Sequence, residues 1–319
     1  MNLILSRFLS FTEEQIESIR ALGYSIELSA ENPAELDPKL YDWAEVVVCR
    51  AMLNNDNIDL FTKLKFLQCL ATGVDSVPIV KAHERGIPVC KAGDLYSIPI
   101  AEWCVMKILS VYKHSRWYEH EQAERAWRRF VSETPMRELY GKRIAIAGTG
   151  DIGNATAMRL RAFEPAEIVG LNTDGRDVSG YDKCYRTEEM ADFLEGSDII
   201  VITLPVTAKT RQIINTEALS IIKDDAILVN VSRGSIVDEQ AVIEKLQSTP
   251  TFSFAADVFA KEPLPTDSPL WELENAFIAP HNSFVTDKRP KRLFDCIFKN
   301  LEAYMTGAPL EWVVTNKGY

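Results

Sequence analysis

The stretch Gly148-Thr-Gly-Asp-Ile-Gly153 limits what this chain can fold into more than any other. It follows a short apolar run, Ile144–Ala147, that reads as a buried strand, and it precedes a good helix former, Asn154–Leu160. A strand, a Gly-x-Gly-x-x-Gly turn and a helix in that order is the context that a dinucleotide fingerprint requires. Gly148 permits the tight turn out of the strand, Gly150 lets the main chain approach a pyrophosphate, and Gly153 lets the helix pack closely on the sheet. Asp151 and Ile152 fall at the start of that helix, whose free N–H groups and partial positive charge suit phosphate.

At 319 residues the chain exceeds what one hydrophobic core ordinarily supports, so two domains are expected. Lys and Arg number 35 against 46 Asp and Glu, a net charge of −11. Only Arg125-Ala-Trp-Arg-Arg129 is locally basic, so nucleic acid is not an expected partner. The six cysteines are scattered without a CxxC pair, several inside apolar runs. They read as reduced core residues of a cytoplasmic protein rather than a disulfide or metal framework. The apolar part of Met1–Arg7 is too short for a signal peptide, and no apolar run approaches a membrane span, so no membrane partner is expected.

Residues 1–100 alternate strand-like runs (Leu3–Leu5, Ser25–Leu28, Val46–Val48, Phe66–Leu70) with helical patterns. Thr12 reads as an N-cap, Ile16, Ile19 and Leu22 as the apolar stripe, and Gly23 as the stop. Such alternation predicts an α/β unit with a parallel sheet, here without a glycine loop of its own. The largely apolar run Ile100–Tyr112 reads as a helix crossing between domains; Glu119–Arg129 reads as a solvated helix or loop and is given no chemistry. From about Leu139 to His281 six strands are expected: Arg143–Ala147, Glu167–Leu171, Ile199–Thr203, Ile227–Val231, Phe252–Ala256 and Phe277–Ala279. Six strands with a glycine turn after the first make a doubly wound parallel sheet, the dinucleotide-binding (Rossmann) fold. A final helical pattern over Lys291–Met305 should return the chain to the first domain.

Three polar residues stand just past the last three strands: Arg233, Glu262 and His281. In an open α/β sheet ligands bind outside the carboxyl ends of the strands, so these groups belong near the nicotinamide end of a dinucleotide. Singly, each has an ordinary structural explanation as a surface ion pair, a loop start or a core histidine. Together at one sheet edge they read as a catalytic set.

With those residues in place, the chain resembles the NAD(P)-dependent D-2-hydroxyacid dehydrogenases over nearly its whole length. The matching blocks are Ala71-Thr-Gly-Val-Asp75, Gly148–Gly153, Leu204-Pro-Val-Thr-Ala-Lys-Thr210, Asn230–Asp238, Asp257–Pro263 and Pro280-His281. The resemblance implies a Rossmann domain over 101–284 inserted in a smaller flavodoxin-like substrate domain made of 1–100 and 285–319. It implies an oxidoreductase moving hydride between a nicotinamide and a small D-2-hydroxy or 2-keto acid. Arg233 would hold the substrate carboxylate, His281 would be the acid in reduction and the base in oxidation, and Glu262 would hydrogen-bond His281 and favour the imidazolium. Main-chain N–H groups of Gly73 and Val74 would complete the carboxylate site, with a closing motion of the cleft. Thr72, Leu204, Pro205, Val231, Ser232 and Asp257 would line the cofactor pocket. It also implies a homodimer paired through the dinucleotide domains, with no metal.

A dinucleotide enzyme preferring NAD carries an Asp or Glu after its second strand, on the ribose 2′-hydroxyl. Here Asn172 takes that place, and Thr173 and Arg176 could contact a 2′-phosphate, so NADP(H) is expected; Asp174 could instead restore an NAD site. Arg50, after the strand Val46–Cys49, is a candidate contact for an anionic substrate tail or else a solvated strand-end Arg. The chain ends at Tyr319 without room for the regulatory domain carried by some phosphoglycerate dehydrogenases, and Glu before Pro263 argues against formate oxidation. The alternative is a dinucleotide-sensing, corepressor-like protein without activity.

Overall fold

The computed structural model describes residues 1–74, 77–129 and 135–315. Contacts divide the chain into two units, Met1–Tyr96 with Thr286–Tyr319, and Ser97–Val285. The division falls ahead of residue 100 because the helix that opens the second unit already begins at Ser97.

The first unit runs β1 (Asn2–Ser6), α1 (Glu13–Ala21), β2 (Ser25–Ser29), β3 (Val46–Cys49), β4 (Phe66–Cys69), α2 (Ile79–Glu84) and β5 (Val89–Cys90). Its parallel sheet has the order β2-β1-β3-β4-β5, a flavodoxin-like arrangement. Every residue of β3 and β4 is buried, which is why β3 reads as a continuous apolar run and β4 as one broken only by Gln68. Thr12 caps α1 in a capping box: its Oγ1 accepts the Gln15 N–H at 3.2 Å and Gln15 Oε1 accepts the Thr12 N–H at 2.9 Å. The two-residue β5 was not expected; Val-Cys beside Pro88 is too short to carry a periodic signal.

The second unit begins with α3 (Ser97–Tyr112) and α4 (Ser115–Ala123). Then come β6 (Arg143–Ala147), α5 (Asp151–Arg161), β7 (Glu167–Asn172), β8 (Lys183–Arg186), α6 (Met190–Leu194) and β9 (Ile199–Ile202). It closes with α7 (Thr216–Ile221), β10 (Ile227–Asn230), α8 (Glu239–Ser248), β11 (Ser253–Ala256) and β12 (Ala276–Ile278). The parallel sheet has the order β12-β11-β10-β9-β6-β7-β8, the doubly wound order with its reversal between β6 and β9. α3 lies along α5 within this unit. Seven strands replace the six expected. β8 escaped notice because an edge strand needs few apolar residues: of Lys-Cys-Tyr-Arg only Cys184 and Tyr185 are buried. The chain returns to the first unit in α9 (Arg289–Thr306), where the Tyr24 hydroxyl donates to Leu301 O at 2.9 Å. Among the described residues no helix is long and apolar enough to cross a membrane. Glu121, in the segment expected to be solvated, is buried against Arg128 at 2.5 Å.

At the amino edge of the larger sheet, Asp198 ties three elements together. It pairs with Lys223 Nζ at 2.5 Å and Lys142 Nζ at 3.7 Å and accepts the Arg143 N–H at 2.9 Å. Burial pushes its carboxyl up, but Lys223, the Arg143 N–H and Lys142 together outweigh that and hold it below the usual carboxylate range. A depressed folded-state pKa contributes stability above the unfolded value of about 3.9, and that stability is lost as pH falls through the folded value. Asp198→Asn is therefore expected to destabilise the protein at neutral pH by on the order of 2 kcal/mol. The difference from wild type should vanish in acid. Urea midpoints for both proteins across pH 2–7 check the sign, and a constant difference over that range would refute it.

Candidate active site

The reversal between β6 and β9 places two loops side by side at the carboxyl edge. Gly148 leaves β6 at φ +105°, and a Cβ there would lie 2.6 Å from Thr203 Oγ1 and 3.0 Å from Thr203 main chain. Thr203 Oγ1 in turn donates to Ala147 O at 3.0 Å or Gly148 O at 2.9 Å. A Cβ on Gly153 would stand 2.0 Å from Gly148 O, whereas one on Gly150 would meet nothing within 4 Å. Gly150 is also the N-cap of α5 and offers no side-chain cap. The first helical N–H groups thus point past an open Cβ position, and these residues fit a pyrophosphate.

The three candidate catalytic residues all lie in this unit. Asn230, wholly buried at the end of β10, shapes the first loop: its Oδ1 accepts the Ser232 N–H at 3.1 Å and its Nδ2 donates to Arg233 O at 3.1 Å. Ser232 Oγ donates to Leu204 O, joining this loop to the one after β9, and Arg233 Nη1 donates to Ser232 O at 2.8 Å. Gly234 then backs onto the loop after β11, since a Cβ would fall 1.9 Å from Phe259 C. That second loop carries Glu262, whose Oε1 accepts the Phe259 N–H at 3.1 Å, while Glu239 Oε2 accepts the Ala260 N–H at 2.9 Å. Glu262 Oε2 lies 2.8 Å from His281 Nδ1.

His281 follows β12 in the left-handed region at φ +55°, unusual for a residue with a Cβ. Asp257 holds it there. The His281 N–H donates to Asp257 O at 2.9 Å, and the Asp257 carboxylate accepts the Asn282 N–H at 2.7 Å and the Ser283 N–H at 2.9 Å. Asp257 is only 1% exposed and spends both oxygens on this turn. Its role as a brace, like those of Asn230 and Thr203, was not read from the sequence; a short Asp, Asn or Thr side chain at a strand end was the available signal.

Among the other expected cofactor contacts, Leu204, Val231 and Ser232 are buried in the joined loops and Pro205 is exposed, its C=O accepting Thr210 Oγ1 at 2.6 Å. Asn172 is turned inward, 6% exposed, with Nδ2 donating to Arg176 O at 2.9 Å and weakly to Thr149 Oγ1 at 3.4 Å. Thr173 is exposed, and Arg176 pairs with Asp174 at 2.7 Å. Thr72, Gly73 and Val74 follow β4 in the first unit; Asp75 lies outside the described residues. Arg50 follows β3 in the same unit, where the Glu31 carboxylate accepts the main-chain N–H groups of Arg50, Ala51 and Met52 at 2.8–3.1 Å.

Residues 105–283 match the family described as D-isomer specific 2-hydroxyacid dehydrogenase, NAD binding domain. The chain belongs to the D-isomer-specific 2-hydroxyacid dehydrogenases. It is 32% identical over 255 residues to a glyoxylate reductase of Thermofilum pendens, covering 78% of this chain and 74% of that protein. It is 30% identical over 316 residues to a D-3-phosphoglycerate dehydrogenase of Methanocaldococcus jannaschii, covering 95% of this chain but only 57% of the relative's length. A solved D-isomer specific 2-hydroxyacid dehydrogenase of Xanthobacter autotrophicus, in complex with NADPH and MES, is 26% identical with a TM-score of 0.82, over 100% of this chain and 99% of that one. As a member of this family the protein is an NAD(P)-dependent oxidoreductase of small 2-hydroxy and 2-keto acids, and the comparisons do not favour the non-enzymatic sensor.

The glycine geometry separates two variants. Gly150→Ala should keep thermal stability within about 1 kcal/mol of wild type, since its Cβ points into open space, yet weaken dinucleotide binding by crowding the pyrophosphate. Gly153→Ala should lower the unfolding midpoint, because overpacking costs about 1–3 kcal/mol. Melting curves and titrations with NADPH and NADH for both variants check this; equal stability losses would contradict the assigned roles.

Proposed function

We propose that the protein reduces a small 2-keto acid to the D-2-hydroxy acid, with His281 as acid and base, Glu262 as its positioning partner and Arg233 as the carboxylate ligand. The observation that carries this reading is the 2.8 Å contact between His281 Nδ1 and Glu262 Oε2. With Nδ1–H donating to the carboxylate, Nε2 is the ring atom that exchanges a proton with the substrate oxygen. The Arg233 guanidinium, a planar and permanently charged fork, suits a carboxylate adjacent to the reacting carbon. The bound nicotinamide supplies the hydride in reduction and accepts it in oxidation. Gly73, Val74 and Arg50 are the proposed contributions of the first unit, the last toward an anionic substrate tail.

The likeness to a glyoxylate reductase over most of the chain supports two- and three-carbon keto acids as substrates. A neutral Asn172 supports NADP(H) over NAD(H). The acidic charge of −11 speaks against a nucleic-acid partner, and the family resemblance supports a homodimer, here proposed as cytoplasmic and without membrane partners.

A spectrophotometric screen of glyoxylate, hydroxypyruvate, pyruvate, 2-ketoisocaproate and phosphohydroxypyruvate with NADPH and NADH tests the reading. Turnover is expected on glyoxylate or hydroxypyruvate, and none on any keto acid would overturn it. On the best substrate, Glu262→Gln should lower kcat by about 10²-fold or more, because the carboxamide no longer enforces one tautomer of His281. Arg233→Lys should chiefly raise KM, because a lysine loses bidentate contact. Steady-state constants for both variants decide between these roles and a purely structural one, which would show as a fall in melting temperature with unchanged kinetics.

A further inference from the structure

At the carboxyl edge of β7 and β8 the acidic residue suited to an unmodified ribose is absent, and two arginines stand in its neighbourhood under different constraints. Asn172, the last residue of β7, is the lateral partner of Arg186, the last residue of β8, so both emerge at one level of the sheet. Thr187 Oγ1 reaches back to Asn172 O at 3.4 Å, further relating the two strand ends. The carboxamide of Asn172 is buried and carries no charge. The following turn is tight, with Gly175 at φ +71°, and the Arg186 side chain lies across it: a Cβ on Gly175 would stand 2.7 Å from Arg186 Cγ and 3.4 Å from its Nε.

Arg176, in the turn itself, has its charge met by Asp174 at 2.7 Å. That contact also holds the Asp174 carboxyl below its ordinary range, so the pair is ionised at neutral pH. Arg186 differs. Among the described residues it makes no ion pair, and Glu189, three residues on, spends Oε2 on the Arg186 main-chain N–H at 2.7 Å rather than on the guanidinium. The exposed Arg186 therefore offers an uncompensated cation beside the turn where an adenosine ribose is expected.

We propose that Arg186 is the residue that recognises a 2′-phosphate on the adenosine ribose, and that Asp174 keeps Arg176 from sharing that task. A guanidinium binds phosphate through a fork of parallel N–H donors, and the neutral Asn172 carboxamide at the end of β7 does not repel the dianion as an acidic residue there would. This deepens the NADP(H) reading above and rests on it. The same arrangement makes Asp174 the element that limits the preference, because its negative charge stands near the phosphate and occupies the second cation.

Equilibrium titrations of the whole protein, by calorimetry or by quenching of protein fluorescence, test the assignment with NADPH, NADH, adenosine 2′,5′-bisphosphate and AMP. Arg186→Met keeps the methylene stem over Gly175 and removes the charge. It should reduce the preference for the 2′-phosphorylated member of each pair by roughly 30-fold, the effect of losing a hydrogen bond between charged groups. Arg176→Met should change the preference less, and Asp174→Asn should increase it. Wild-type protein that binds NADH as tightly as NADPH would remove the underlying NADP(H) reading. If wild type prefers NADPH but Arg186→Met keeps that preference, or Arg176→Met loses at least as much, the reading survives and the assignment to Arg186 is overturned.

Discussion

Main chain approaches main chain so closely at the carboxyl edge of the larger sheet that side chains are excluded, and the active-site loops are located by that contact. Gly148 abuts Thr203, and Gly153 packs its α-carbon against Gly148 O. From there the loops are linked in the order of the strands that bear them. The β9 loop is held to the β10 loop by Ser232 Oγ on Leu204 O, and the β10 loop to the β11 loop by Gly234 against Phe259. The β11 end is held to the His281 turn through Asp257. A continuous run of short-range contacts thus joins the glycine turn after β6 to the turn that bears His281.

Such a run locates groups well because each contact is made by main chain or by short, buried side chains with few rotamers. His281 illustrates the balance. A residue with a side chain in the left-handed region is strained by roughly 1–3 kcal/mol. Two charge-assisted hydrogen bonds to the Asp257 carboxylate, about 1.5–3 kcal/mol each, exceed that strain. The imidazole is then directed by its backbone as well as by Glu262. The long side chains of Arg233 and Arg186, proposed to meet charged ligands, stand on these fixed frames, and Arg233 also ties back to its own loop through Nη1 on Ser232 O.

Some of this was legible from residue order. The fingerprint Gly148–Gly153 declared itself because each glycine answers a separate steric demand, and a strand and a helix flank it. The apolar runs of β3, β6, β9 and β10 were legible because a parallel sheet buries both faces. β8 was not, since only two of its residues are buried, and the doubly wound sheet gained a seventh strand that no hydrophobic pattern announced. Likewise Asn172 was legible as a missing acid, but not that its amide turns inward to Arg176 O, because a carboxamide bonds equally well in either direction.

The sequence by itself determined the family, the nucleotide-binding turn, and the presence of an arginine, a glutamate and a histidine beyond successive strands. Those follow from residue type and spacing along one dimension. Only the tertiary structure decided that Glu262 meets His281 within hydrogen-bond reach, that Asp257 braces the histidine rather than standing open, and that Arg176 and Arg186 differ in charge compensation. Each of these depends on side chains from separate strands meeting at one edge, and local patterning carries no record of such distances.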